Sequence, residues 1–310
     1  LPAVVDPLAA LKPGAPCVWP QAPDNIIAAM SYGDAAKVEE AFAKAAHKVS
    51  LDLVSQRLVP SALEPRSTIA EIDKKTGRLT LYVQSQTPGS TRDVLAEAVL
   101  KRPKDSVRVL VGDIGGGFGQ KTNVYPEDGV VAYAAAKLGR KIRWRGDRTD
   151  DFVGGTHGRD LTSTGEFALD EKGRVLAYRV RSLGGTGAYM SGTANIIPLV
   201  LGPFVQTGVY DLPLVHFEIK TVITNPAPVG AYRGAGRPEA VFIVERLFDA
   251  AARQIGMDPQ AREAANIIDL DDVEKLGRVG VEVDDVGRFA GRLGAGVHRY
   301  RHIGLGKGRG

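Results

Sequence analysis

Cysteine is almost absent from this chain of 310 residues, and its scarcity excludes two kinds of site. The single thiol, Cys17, cannot form a disulfide within the chain, and cysteines of this chain alone cannot hold an iron–sulfur cluster. Histidine is also scarce, and the five histidines show neither an HExxH motif nor a paired metal-ligand spacing. We therefore expect no metal ion to be ligated directly by these side chains.

Long apolar runs and a dominant charge are lacking as well. No stretch approaches the roughly 20 apolar residues that a membrane helix needs, and the first residues lack the basic start and apolar core of a secretion signal. The formal net charge is +4, and the 40 basic residues are dispersed among 36 acidic ones. The composition predicts a cytoplasmic protein that binds neither a membrane nor nucleic acid.

Apolar periodicity and turn residues along the chain are typical of a mixed α/β (α+β) fold. Six prolines between Pro2 and Pro23 predict an extended lead-in over residues 1–30. The last predicted helix places Val241, Val244, Leu247 and Phe248 toward the core. Strands are predicted near residues 49–53, 79–85, 107–111, 142–144, 161–169, 175–183 and 215–223, and helices near 34–47, 92–100, 126–138 and 238–255.

A glycine-rich loop over residues 111–121 follows one of these strands, with four glycines among residues 115–119 around Phe118. Glycine reaches backbone angles closed to other residues and has no side chain, so such a loop can press its amides against a ligand. A P-loop would need glycine before Lys121, where Gln120 stands, and the dinucleotide fingerprint also fails. Nucleotide hydrolysis is disfavoured, whereas a tight packing turn stays open as the simpler explanation.

Two further segments have polar groups suited to a ligand. Residues 225–239 form a second loop rich in glycine and proline that contains Arg233, which could bind an anion or form an ordinary surface ion pair. Gln86 stands at the end of a predicted strand and could donate and accept hydrogen bonds, or simply be solvated. Neither residue alone indicates a binding site, and the prediction depends on their occurring together with the glycine loop.

Together these segments resemble the molybdenum-cofactor-binding large subunit of the xanthine dehydrogenase, aldehyde oxidase and carbon monoxide dehydrogenase large-chain family. Residues 115–121 are similar to that family's GGGFGxK signature, and residues 231–240 are similar to its second signature. Shorter matches occur in the family's order at residues 64–66, 147–148, 156–157 and 187–189. The resemblance implies the fold of the family's first molybdopterin-binding domain.

The resemblance also implies roles for individual residues around a molybdenum–molybdopterin cofactor, whose nucleotide form, including the cytosine dinucleotide, stays open. Gln86 would lie near the oxo group of the metal, and Arg233 would reach the same centre through its backbone. The backbone of the loop would approach the metal and its pterin at Gly116, Gly117, Phe118 and Gly119.

Three residues would border the substrate: Thr122, Gly234 and Ala235. Purine-hydroxylating relatives carry a glutamate at the position of Thr122, so a purine is not favoured. Carbon-monoxide-oxidising relatives carry a cysteine at the position of Gly234, so a copper–molybdenum centre is not favoured either. The resemblance implies hydroxylation of an aldehyde or an aromatic heterocycle, with water as the source of oxygen.

The implied electron path requires partners, because one cysteine cannot hold the clusters: an iron–sulfur small subunit and an FAD medium subunit. The family's catalytic glutamate belongs to a later domain whose motif is not found before Gly310, so no catalytic residue is assigned and the chain alone is expected to be inactive. A non-catalytic binding or assembly module that keeps the fold without metal is the alternative.

The predicted organisation has three parts. Residues 1–30 are the lead-in, a remnant of a preceding domain; residues 31–267 are the cofactor-binding domain; residues 268–310 are a divergent or truncated tail. Truncation, internal deletion and frameshift all stay open as the origin of the tail.

Overall fold

Two mixed β-sheets with helices packed on them organise the part of the chain that the structure describes. The structure is a computed structural model, and it describes residues 2–258 and 266–267. The predicted mixed α/β class is confirmed. The predicted tail over residues 268–310 lies outside the described residues.

The described ranges contain nine strands and six α-helices. The strands are β1 (Ile26–Gly33), β2 (His47–Ser55), β3 (Ser67–Ile72), β4 (Leu79–Val83), β5 (Val107–Leu110), β6 (Ile142–Arg145), β7 (Leu161–Leu169), β8 (Val175–Gly185) and β9 (Val215–Val222). The helices are α1 (Pro7–Ala10), α2 (Ala35–Lys44), α3 (Pro88–Asp93), α4 (Pro126–Leu138), α5 (Arg148–Gly154) and α6 (Arg237–Ile255). A π-helical segment, Val94–Leu100, continues α3, and a second one spans Ile197–Leu201.

The larger sheet has the order β1-β9-β8-β7-β2, with β8 and β9 parallel and the other pairs antiparallel. Successive side chains of a strand point to opposite faces, and both faces of this sheet are covered. Phe167 and Tyr178 pack with Phe248 of α6 on one face, with the Phe167 and Phe248 ring centroids 4.9 Å apart. Their neighbours Ala168 and Ala177 pack under α2 on the other.

The smaller sheet has the order β5-β4-β3-β6 and packs against α4 through an apolar cluster that includes Leu79 and Leu81. Its strands β4 and β5 are parallel, so their carboxyl ends meet at the same edge of the sheet. Strand β4 leads to Gln86, and β5 leads into the glycine loop. This pairing brings two segments that are far apart in sequence to one place.

The lead-in over residues 1–30 was predicted to be extended, but the structure shows a short helix and the start of a strand in it. Pro7 begins a short helix, which the side chain of Asp6 caps by accepting a hydrogen bond from Ala9 N at 2.7 Å. Strand β1 begins at Ile26 and pairs with β9 at the edge of the larger sheet. Pro7 is tolerated because it stands in the first turn of a helix, and β1 begins after the last of these prolines, Pro23.

Helix α6 agrees with the predicted helix, but one predicted core residue is wrong. Val244, Leu247 and Phe248 are buried, whereas Val241 is 45% exposed. The buried stripe runs through Ala240 and Ile243 instead, and Val241 lies one residue past it, about 100° around the helix. Strand β3 and helix α5 were not predicted. No helix of the described residues is both long enough and apolar enough to cross a membrane.

A buried carboxyl at the start of α4 makes stability depend on pH. Asp128 accepts a hydrogen bond from Tyr125 N at 3.1 Å, and burial raises the pKa of its carboxyl to about 6. The folded state therefore binds a proton more tightly than the unfolded chain between about pH 4 and pH 6. Stability from this group is present at acid pH and is lost as the pH rises through that window.

We expect Asp128→Asn to raise the unfolding free energy at pH 7 by about 1–3 kcal/mol, because about two pKa units correspond to about 3 kcal/mol and the amide keeps an acceptor for Tyr125 N. Urea unfolding at pH 4.5 and pH 7 would measure this. The gain should be clearly larger at pH 7 than at pH 4.5, and Asp105→Asn at an exposed position should show no such difference. Equal effects of Asp128→Asn at both pH values would contradict the assignment.

Candidate functional site

The side chain of Gln86 lies directly against the glycine loop. Its backbone N–H donates to Lys121 O at 2.9 Å, and its Oε1 accepts a hydrogen bond from Gly119 N at 2.9 Å. A Cβ atom at Gly117 would lie only 2.5 Å from Gln86 Oε1, so a larger residue there would displace the Gln86 side chain. The parallel pairing of β4 with β5 produces this contact.

The second loop joins the first through its backbone. Arg233 N donates to Phe118 O at 2.9 Å. Gly119 approaches Ala231 so closely that a Cβ atom there would lie 2.4 Å from Ala231 O. Residues of all three segments singled out in the sequence therefore meet at one site.

The glycine loop presents unpaired amides at its centre. Its backbone is left-handed at Gly116 (φ 97°), Phe118 (φ 52°) and Gly119 (φ 100°). Within the described parts of the chain, no group accepts a hydrogen bond from the N–H of Gly116, Gly117 or Phe118. Successive amides in such conformations form concave sites for anionic or oxygen-bearing groups. The Phe118 side chain is exposed at the same place.

Glu64 holds the glycine segment of this loop, residues 115–121, at its two ends. Gly115 N donates to Glu64 Oε2 at 2.6 Å, and Lys121 Nζ donates to Glu64 O at 2.9 Å. Lys121 is only 1% exposed, and burial lowers the pKa of its ammonium while the charge of Glu64 opposes that shift. The loop is therefore fixed at both ends while its central amides stay open.

A buried polar layer lies behind the loop. Arg66 Nε donates to Asp151 Oδ1 at 3.0 Å, and its guanidinium lies 3.8 Å from the centroid of the Tyr125 ring. Tyr125 donates its hydroxyl proton to Gln120 O at 2.7 Å, and burial raises the pKa of this hydroxyl. The phenol therefore stays protonated and keeps donating to the loop backbone.

Arg159 supports the second loop, and no pattern in the sequence predicted this role. Its Nη2 donates to Arg233 O at 2.7 Å, its Nη1 pairs with Glu239 Oε1 at 3.2 Å, and its guanidinium lies 4.7 Å from the Tyr232 ring centroid. Arg159 is 74 residues from Arg233 and stands in no recognisable motif. The matched segment at residues 156–157 was the only signal nearby.

The residues expected to border a substrate lie around the same contact. Thr122 donates its hydroxyl proton to Gly119 O at 2.6 Å, so its side chain supports the loop backbone. Gly234 (φ 95°) and Ala235 (φ 43°) turn the second loop into α6. Ala235 also lines a mostly apolar cavity between this loop and the larger sheet, together with Val180 and Phe217.

Comparison with known proteins adds three findings. Residues 18–267 match the family described as the molybdopterin cofactor-binding domain. The chain is 34% identical over 299 residues to the carbon monoxide dehydrogenase large chain of Hydrogenophaga pseudoflava, covering 92% of this chain and 37% of that protein. It is 30% identical over 272 residues to the nicotine 6-hydroxylase large subunit of Paenarthrobacter nicotinovorans, covering 86% of this chain and 33% of that protein.

The fold is also similar to a solved structure, that of quinoline 2-oxidoreductase from Pseudomonas putida 86. The TM-score is 0.83 at 30% sequence identity, and the match covers 94% of this chain and 39% of that one. The chain thus spans between 33% and 39% of the length of these relatives.

We expect Gly119→Ala to lower the unfolding free energy by about 2–3 kcal/mol, because a left-handed alanine is strained and its Cβ would force the two loops apart. Urea denaturation would measure the loss. Gly112→Ala is the matched control: it lies in the same loop, but its Cβ would meet nothing within 4 Å. The control should change stability by less than about 0.5 kcal/mol. Similar losses in both variants would show that contact with Ala231 does not limit residue 119.

Proposed function

The chain belongs to the molybdopterin cofactor-binding domain family of molybdenum hydroxylase large subunits, and we propose that its glycine loop holds the oxygen-bearing end of that cofactor. The observation that carries this proposal is that no described residue accepts a hydrogen bond from the amides of Gly116, Gly117 and Phe118. They lie between two amides that are already bonded, those of Gly115 and Gly119. Such a row of donors fits a group that carries several acceptor oxygens, and it can bind that group without positively charged side chains.

Gln86 is proposed to donate a hydrogen bond to an oxygen on the metal. Its Oε1 is already engaged by Gly119 N, which fixes the orientation of the amide. No described residue accepts from its Nε2, so this donor remains for a ligand. Arg233 contributes through its backbone, which Phe118 O and Arg159 hold from two sides.

When bound, the cofactor would supply the two-electron oxidation of a carbon atom, with water as the source of oxygen. The residues of this chain bind and orient that group, and Gly234, Ala235 and Thr122 are proposed to border the substrate. We assign no catalytic base to this chain. Glu64, the carboxylate that is hydrogen-bonded to the loop backbone, is already engaged by Gly115 N and Lys121. We therefore propose that the chain alone is inactive, and hydroxylase turnover by the purified chain would overturn this.

The substrate is proposed to be an aldehyde or an aromatic heterocycle. Two of the similar proteins are named for heterocycles, nicotine and quinoline. A copper–molybdenum centre is not proposed although another relative is a carbon monoxide dehydrogenase. Gly234 offers no thiol, and Cys17 lies in the lead-in, where its Sγ contacts Trp19 O at 3.1 Å.

Partner subunits follow from the electrons that this oxidation releases. We propose an iron–sulfur small subunit, because one exposed cysteine cannot hold the clusters. We also propose an FAD medium subunit, and we place the whole assembly in the cytoplasm. Relatives named as large or gamma subunits support a multi-subunit assembly. The cytosine dinucleotide form of the pterin belongs to the same proposal.

Metal and pterin analysis of the natural protein, purified with the subunits that accompany it, tests the proposal. We expect about one molybdenum and one pterin per large subunit. Protein that folds and assembles without either would contradict the proposal and favour a non-catalytic binding or assembly module.

In the same preparation, we expect Gln86→Leu to lower pterin retention by about 10- to 100-fold, since a hydrogen bond to a charged group contributes about 1.5–3 kcal/mol. The dissociation rate of the pterin, followed by its fluorescence after release, would measure this loss. Gln56→Leu is the matched control at another exposed position. Equal pterin retention in the two variants would contradict the proposed hydrogen bond from Gln86 to the cofactor.

A further inference from the structure

Glu64 contacts both ends of the glycine loop, and no other described residue does so with side chain and backbone together. At one end, Glu64 N donates to Gly115 O at 3.2 Å, and Gly115 N donates to Glu64 Oε2 at 2.6 Å. At the other end, Lys121 Nζ donates to Glu64 O at 2.9 Å and lies 3.5 Å from Glu64 Oε2. These four contacts close the loop over residues 115–121 into a ring.

The ammonium of Lys121 is the strongest constraint in this ring, because its side chain is fully buried. A buried charge is costly unless it is paired and hydrogen-bonded, and the hydrogen-bond partner of this one is Glu64. If the loop opened at this end, the ammonium would lose that partner. Its burial therefore favours the closed form of the loop over alternatives.

The anchor of the ring is itself held from outside the loop. Arg148 Nη2, at the start of α5, donates to Ala62 O at 2.6 Å and to Leu63 O at 3.0 Å. The segment that precedes Glu64 is thus bonded to a helix rather than to the glycines. A fixed anchor can impose a shape on the loop, whereas a mobile one would follow it.

Glycines cannot impose that shape themselves. Each glycine has more backbone freedom to lose than any other residue, and four of them lie among residues 115–119. The unpaired amides of Gly116, Gly117 and Phe118 would point in many directions in a free loop. Ordering them before a ligand arrives lowers the entropic cost of binding.

We propose that Lys121 and Glu64 are positioning residues that set the glycine loop in its ligand-ready shape before the cofactor binds. The inference rests on the proposed function for the identity of the ligand, but the shape of the loop can be tested without any ligand. Removal of the ammonium should loosen the loop and leave the two sheets intact.

The first experiment uses hydrogen–deuterium exchange on the full chain without cofactor. In Lys121→Met, which keeps the side-chain length and removes the charge, we expect the bonded amides of Gly115, Gly119 and Gln120 to exchange at least tenfold faster. Peptides from β7 and β8 should exchange as in the parent. Lys121→Arg should restore most of the protection, and Lys75→Met, an exposed control, should change nothing. Unchanged loop exchange, or faster exchange throughout both sheets, would overturn the proposal.

The second experiment uses the natural assembly and measures how fast pterin leaves it. We expect Lys121→Met to release pterin about tenfold faster, with the urea midpoint of the large subunit unchanged or higher, since methionine suits a buried position. Pterin release at the parental rate would overturn the role in positioning. Absence of pterin from the parent protein would refute the proposed function but not the positioning role, because the exchange experiment tests the shape of the loop without any ligand.

Discussion

Direct backbone contact between two glycine loops is the constraint on which the site depends. Arg233 N reaches Phe118 O, and Gly119 lies against Ala231 at a distance that no side chain at position 119 would permit. This contact joins a loop that follows the smaller sheet to a loop that follows the larger one. Gly119 is therefore needed for the close packing of the two loops, as well as for any approach of a ligand to the first loop.

Hydrogen bonds and buried charges order this region, because glycine loops have few side chains to bury. The sheets are held by apolar side chains such as Phe167 and Leu81, whereas the loop is held by Lys121, Glu64 and the layer around Arg66. A buried charge that loses its partner is strongly destabilising, so these pairs favour an arrangement of the loop that keeps them. A fixed arrangement suits a loop whose central amides must stay open and in place.

Most regular elements of the chain could be predicted, and the failures have local causes. Strands β7 and β8 were predicted closely because alternating residues and a tight turn at residues 170–173 define them. Val241 was misplaced because an apolar residue adjacent to a helical stripe looks like part of it. The lead-in was predicted as extended because proline density gives no information about β1, whose pairing with β9 forms over almost 190 residues.

The mixed fold, the two glycine loops and the family could all be recognised from residue patterns, because glycine spacing and strand periodicity are local properties. The sequence also indicated Gln86 and Arg233 as members of one site, although only through the resemblance. Three features became visible only in the folded chain: Glu64 closes the loop, Arg159 holds the second loop and pairs with Glu239, and no described residue accepts from three amides of the loop. Those contacts join residues 51 to 80 positions apart, and no periodicity in a sequence records which distant side chains will meet.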